Sequence, residues 1–215
     1  MLLINTEIKE NLKLPYLALL VGMFAISTSA ILIRYSNSEP LVIGTYRQAF
    51  ATLAFLPFIF KDRGAEISSQ SNSTLLEMAL TGILLGAHFS FFITSVKETS
   101  VAASVLLATC HVVYVAILGK IFFGETLSKK AIIGTTIALG GILVLFGGDL
   151  IDNPGNFKGN FYAFVAGVLA GLYYLSGRKL RRTISLPTYA FVVYFFSFIS
   201  MLSLIHISEP TRHLL

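Results

Sequence analysis

Apolar residues gather in this chain into seven long blocks separated by short polar gaps. The blocks run Leu14–Ile33, Pro40–Phe60, Leu75–Ser95, Val101–Phe123, Ala131–Gly148, Asn160–Ser176 and Pro187–Leu204. Each approaches the ~20 mostly apolar residues that a helix needs to cross a hydrocarbon core. The gaps hold breakers and polar residues, such as Ser36-Asn37-Ser38-Glu39-Pro40 and Asp152-Asn153-Pro154-Gly155. The pattern predicts an all-α fold, a polytopic membrane helix bundle. Seven near-uniform lengths argue against the core helices of a soluble protein.

Composition strengthens that reading. Of 215 residues, 55% are hydrophobic and 13% charged, against about 25% charged in an ordinary soluble domain. Mean hydropathy is +0.77, an excess spread over the bulk of the chain. A soluble globule of this length could not hide that much apolar surface. The formal net charge of +5 does not point to nucleic acid, because the cations sit in the gaps between apolar blocks. There they serve as orientation signals. With the N-terminus in the cytoplasm, Lys9, Lys13, Lys61, Arg63, Lys129, Lys130, Arg178, Lys179, Arg181 and Arg182 lie inside. Arg34, Lys97 and Lys158 lie outside. Ten against three predicts a cytoplasmic N-terminus.

The first apolar block is too long for the core of a cleavable signal peptide and reads as the first span. Cys110 is the one cysteine, so no internal disulfide can form and no cysteine-rich metal site exists. Inside an apolar block it reads as a small packing residue. Gly82 and Gly86, and Ala163, Gly167 and Gly171, recur every four residues. That spacing lets a neighbouring backbone come close.

The end of the chain reads differently. Leu202 to Arg212, LSLIHISEPTR, resembles the translated read-through of a transposon-end adapter used in preparing DNA libraries. Residues 202–215 are therefore set apart as a non-native adapter tail, expected to have no defined packing partner. The seventh block then keeps only Pro187–Met201, roughly 22 Å of helix at 1.5 Å per residue. Further helices are expected in the intact protein.

With the blocks placed, the chain resembles the EamA-like branch of the drug/metabolite transporter superfamily over residues 14–201. The stretches that carry the resemblance begin with Ser27-Thr28-Ser29 and Arg34, then Pro40 with Arg47. Gly86-Ala87-His88-Phe89, Thr94-Ser95 and Thr99-Ser100-Val101-Ala102 follow, then Thr109-Cys110-His111-Val112-Val113 and Gly124-Glu125-Thr126-Leu127-Ser128. The last resembles the family's GE-x-L turn before the fifth helix. The resemblance implies an inverted five-plus-five helix repeat, ten helices when intact and about seven here. Residues 1–148 would form the first repeat and 149–201 the truncated start of the second. Arg34, Pro40 and Tyr46 have counterparts in Arg178, Pro187 and Tyr194. Transporters built this way hold substrate near the midplane between repeats. Many relatives have proline where Val112 stands, so the kink of the fourth helix is expected to be absent or softer.

Ionisable residues inside spans are costly and mark candidate sites. Counting from the block ends puts Arg47 and His88 roughly 10 Å below the outer boundary and His111 roughly 15 Å down. Comparable depth on three neighbouring helices points to one polar cavity. Arg47 presents a fork suited to carboxylate or phosphate, or else bonds free carbonyls near a helix break. His88 and His111 carry imidazoles, a side chain suited to proton coupling, or simply bridge helices. Tyr114 shares a helix face with His111, and Tyr173 and Tyr174 are placed to line the cavity from the second repeat. The substrate-binding candidates are thus Arg47, His88, His111, Tyr114 and Tyr174. No metal site and no cofactor is expected, since no carboxylate or third histidine lies at that depth.

Phosphate-cradling loops and HExxH are missing from the sequence, and no nucleophile–base pairing stands out. The expected function is a secondary transporter, not an enzyme. It would move a small metabolite or drug-like solute across the plasma (inner) membrane, as an exporter, with protons a candidate coupling ion. Its partners are the lipid bilayer and that solute. An intramembrane enzyme or a passive channel is the alternative.

Overall fold

The computed structural model describes residues 2–60 and 64–208, and among these every regular element is helical. The helices are α1 (Leu2–Tyr35), α2 (Pro40–Phe58), α3 (Gly64–Ser68), α4 (Asn72–Glu98), α5 (Val101–Thr109), α6 (His111–Phe123), α7 (Lys129–Asp152), α8 (Phe157–Leu180) and α9 (Leu186–Ser208). A 3-10 turn at Pro154–Asn156 joins α7 to α8. The chain divides into two compact units, one ending at Ser36 and one beginning at Asn37.

The first unit is the single helix α1. Many of its apolar side chains, Leu17, Leu20, Phe24 and Ile26 among them, are exposed, while Ala30 and Ile33 are buried. The polar triplet in its middle is accommodated locally. Ser27 Oγ donates to Met23 O at 2.8 Å and Thr28 Oγ1 to Phe24 O at 3.0 Å, so neither hydroxyl is left unbonded in an apolar setting.

In the second unit α4 is central and packs against α2, α5, α8 and α9. Met78 and Leu85 of α4 meet Leu180, Ile184, Tyr189, Val192 and Val193 in a buried core. The α4–α9 approach is close because α4 has no side chain there. A Cβ on Gly82 would come within 2.6 Å of Val193 O, and one on Gly86 within 3.1 Å of Ser197 O. This is the packing that small residues permit between membrane helices.

Five stretches are long and apolar enough to cross a membrane by length and composition: Tyr16–Tyr35, Asn72–Glu98, Val101–Phe123, Lys129–Gly148 and Leu186–Ile207. At the blocks Pro40–Phe60 and Asn160–Ser176 the helices form as expected but are less apolar. Helix α2 contains Arg47 and Gln48, and α8 contains Lys158, Asn160, Arg178 and Lys179. The exposed surface is dominated by large apolar side chains such as Leu106, Val112, Ile137, Leu143 and Val144. A continuous apolar surface of that kind suits lipid, not water.

Three features depart from the sequence expectation. The fourth block is broken into α5 and α6 at Cys110, whose ψ of 5° ends α5. The helix is therefore interrupted without proline at position 112. Helix α3 lies in a gap that the sequence leaves as a loop, and its Glu66 reaches the start of α9. The Glu66 carboxylate accepts from Ser185 N–H at 2.8 Å, from Ser185 Oγ, and from Thr188 Oγ1 at 2.7 Å. It thus satisfies an N-terminal amide that α9 cannot bond internally. Finally, α9 continues through Leu202 to Ser208, with Ser203, Leu204, His206 and Ile207 exposed. Once a helix is formed, each added residue gains a bond at little cost, so an apolar continuation stays helical. The rest of the adapter-like stretch, residues 209–215, lies outside the described residues.

Candidate functional site

Helices α4 and α8 run antiparallel and are joined by polar rungs along their length. Glu77 pairs with Lys179 at 2.9 Å, and Thr81 Oγ1 and Ser176 Oγ share a hydrogen bond. His88 Nδ1 lies 2.8 Å from Ala166 O. Beyond it, Thr99 Oγ1 donates to Asn160 Oδ1 at 2.8 Å, and Lys158 approaches Glu98 at 3.8 Å. The charged pairs mark the two polar ends of the helix pair. His88 stands eleven residues past Glu77 and ten before Glu98, roughly 16 Å from either end at 1.5 Å per residue. It is thus midway along α4, deeper than counting from the apolar block suggests.

A carbonyl oxygen can only accept, so His88 Nδ1 carries the proton in that bond. In the neutral ring Nε2 is then the acceptor. The imidazole packs edge-on to Phe89 at 4.8 Å between centroids and parallel to Phe92 at 6.0 Å. The same Phe89 ring receives Arg47 from α2, whose guanidinium carbon sits 4.4 Å from the centroid. That cation–π contact gives the charge a favourable neighbour away from water. Arg47 is also within electrostatic reach of His88 and of Tyr194 on α9. Beside Arg47, Gln48 is almost wholly buried, and its Oε1 has no hydrogen-bond partner among the described residues.

The break at Cys110 sets the geometry of the next pair. A helix end leaves carbonyls without intrahelical partners. His111 Nδ1 donates to one of them, Ala108 O, at 3.3 Å. Leu107 O points toward α8 at Gly167, where an added Cβ would come within 2.7 Å of it. The His111 ring stacks on Tyr174 of α8 at 4.7 Å, and Tyr174 touches Tyr173 at 5.2 Å. Tyr114 is buried against the glycines of α8 and meets Phe164 edge-on at 5.5 Å. Its hydroxyl has no hydrogen-bond partner among the described residues.

The candidates therefore fall into two linked groups. Arg47 and His88 meet through Phe89, while His111 and Tyr174 stack on each other. His88 and His111 lie within electrostatic reach, which joins the groups. Tyr114 turns to a different part of α8 than His111 does, although both belong to α6. Arg47 stacks on the Phe89 ring and acts on His88 electrostatically. Among the described residues no three His, Cys, Asp or Glu side chains gather as metal ligands.

Sequence reasoning passed over two features. Gln48 carries no charge, so an ionisable-residue search misses it, although its place next to Arg47 on a spanning helix was visible. The second is the link between Glu125 and Arg178. Gly124 caps α6 with φ of 65°, a conformation that glycine adopts freely. The turn lays Glu125 against Gly119, whose missing side chain leaves room. Its carboxylate then grips the Arg178 fork at 2.6 and 3.3 Å. The GE of the GE-x-L turn thus has a physical role here, as a cap followed by an anchor.

The chain is similar to known proteins. The model of the EamA-like transporter family matches residues 13–147. An uncharacterized transporter of Archaeoglobus fulgidus is 28% identical over 148 residues, 68% of this chain and 51% of the relative. Another from Helicobacter pylori is 23% identical over 162 residues, 74% of this chain and 52% of the relative. The chain spans about half the length of these curated relatives.

Proposed function

Because the chain belongs to the EamA-like transporter family, we propose that it is a secondary carrier exporting a small metabolite or drug-like solute across the plasma membrane. The observation that carries the reading is the polar, aromatic path inside an apolar sheath. Arg47 over Phe89, His88 at the middle of α4, and His111 on Tyr174 form a succession of charge and ring faces between helices. Polar groups at that depth are expensive to maintain and serve solute or ion passage. Arg47 is the anion-recognising group, and Gln48, Tyr114 and Tyr174 supply hydrogen bonds and ring faces. Both histidines hold their Nδ1 protons on backbone carbonyls, which leaves Nε2 to exchange protons as a coupling group. Residues 1–148 act as the first repeat and 149–201 as the opening of an inverted second one, with 202–215 foreign to the native protein. The N-terminus and the arginine-rich end of α8 face the cytoplasm.

Reconstitution in liposomes tests the carrier. The expected result is saturable uptake accelerated by solute on the opposite side, reduced at least tenfold in Arg47→Ala and restored only in part by Arg47→Lys, since lysine keeps the charge without the fork. Flux that rises linearly and ignores solute across the membrane would make the chain a channel. Arg47→Ala with undiminished exchange would reduce the path to helix packing. For orientation, Ser68→Cys in a Cys110→Ser background should resist an impermeant thiol reagent applied from outside the cell.

A further inference from the structure

Where α8 ends and α9 begins, an open cavity of about 300 Å³ is lined by Tyr173, Tyr174, Tyr189, Arg178, Arg181, Leu186 and Gly177. Its size is at the small end for ligand clefts. Three phenol rings and two guanidiniums line it, and among the described residues no carboxylate does. Positive-inside bias accounts for arginines at this end of the helix, but not for three tyrosines gathered around them. The two cations are also in different states. Arg178 is committed to Glu125 through both arms of its fork. Arg181 gives one nitrogen to Ile184 O, and a guanidinium has five N–H donors. The Glu125 carboxylate shows the geometry in which the Arg178 fork donates to a carboxylate. Tyr174 also stacks on His111, so one ring is shared between the cavity and the residues described above.

We propose that this cavity binds a small organic carboxylate with an apolar or aromatic body, held by Arg181 and packed between the tyrosines, and that Glu125 restrains it by occupying Arg178. A carboxylate matches the planar fork, and the rings reward an apolar body. Glu125 is then an internal competitor, whose release adds a second cation to the site. The proposal deepens the carrier reading and rests on it for its biological use, naming the solute class and its first binding station.

The chain contains no tryptophan, so Leu186→Trp at the half-exposed rim gives a single fluorescent reporter. Titrating that protein in phosphatidylcholine nanodiscs with benzoate, and with benzamide as the uncharged isostere, measures the site directly. Benzoate should quench saturably and benzamide much more weakly. Arg181→Gln, which keeps a donor for Ile184 O, should raise the benzoate Kd at least about tenfold, the scale of one charge-assisted hydrogen bond. Glu125→Gln should lower it several-fold, a gain that misfolding cannot imitate. Equal quenching by the two probes would overturn the proposal, as would an unchanged Kd in Arg181→Gln or no gain in Glu125→Gln. Phosphatidylglycerol added to the nanodisc should leave the benzoate Kd within twofold. Abolition of benzoate binding by that lipid would assign the site to an anionic headgroup and overturn the carboxylate proposal. Arg181-dependent benzoate binding without benzoate exchange in liposomes would keep this site and remove the carrier reading for that solute. Exchange indifferent to Arg181 and Glu125 would do the reverse.

Discussion

Helices α7 and α8 are both 24 residues long and both rich in glycine, yet they occupy opposite situations. In α8, Gly159, Ala163, Ala166, Gly167, Ala170 and Gly171 are all buried, and neighbouring backbones and rings close over them. In α7 no residue of the Lys129–Gly148 stretch is buried. Cβ atoms built on Gly134, Gly140, Gly141, Gly147 and Gly148 would meet nothing within 4 Å among the described residues. Among the described residues the more apolar helix is the less buried one, and the more polar helix is closely packed. That order inverts the rule for water-soluble folds. Lipid tails are as apolar as leucine, so burying a greasy helix gains little in a bilayer, whereas small and polar residues gain close packing and hydrogen bonds. A glycine stripe alone does not reveal which situation applies.

The largest expected effect follows from Gly167. Gly167→Leu drives a side chain into Leu107 O and the Tyr114 ring, and should cost about 3 kcal/mol or prevent folding. Gly141→Leu in α7 should leave thermal stability in detergent unchanged. Equal losses at the two positions would erase the distinction between the helices. Next is Asn160, fully buried and bonded to Thr99. Asn160→Ala should cost about 1–3 kcal/mol. Its counterpart Thr136→Ala in α7 removes a hydroxyl bonded only to its own helix at Ile132 O, and should shift the melting temperature little. A smaller effect is expected from the Thr81–Ser176 rung. A double-mutant cycle with Thr81→Val and Ser176→Ala should give a coupling of about 0.6 kcal/mol, the average for such bonds in membranes. Smallest is Lys158→Ala, because that pair is long and both side chains are exposed. Its effect should fall below about 0.5 kcal/mol. A cost above 1 kcal/mol there would mean that α8 is held at its end more than along its glycine face.

Helix placement was legible in the sequence because span length is a local property. Pro40 opening α2, and the polar gap before α8, are read directly from residue order. Arg47, His88 and His111 stood out for the same reason, as ionisable groups inside apolar runs. Their partners did not. Phe89, Ala166 O and Tyr174 become neighbours only through the register of helices far apart in sequence. The break at Cys110 was hidden because no proline announces it. It is stabilised instead by His111 accepting the task of bonding a freed carbonyl, and by Gly167 leaving room for another. The order of burial between α7 and α8 was hidden too, since glycine spacing looks alike in both.

Glu66 bears on how the chain is made. Its partner amide at Ser185 lies 119 residues downstream. At synthesis rates of about 5–20 residues per second, the carboxylate is made roughly 6–24 s before Ser185 exists. During that interval five further helices, α4 to α8, are synthesised, and the charge of Glu66 favours an aqueous setting over hydrocarbon. The start of α9 is therefore anchored by a residue made well before it. A ribosome pause between α3 and α9 would prolong the wait without altering the finished contact, whereas losing Glu66 would let the entry depth of α9 drift.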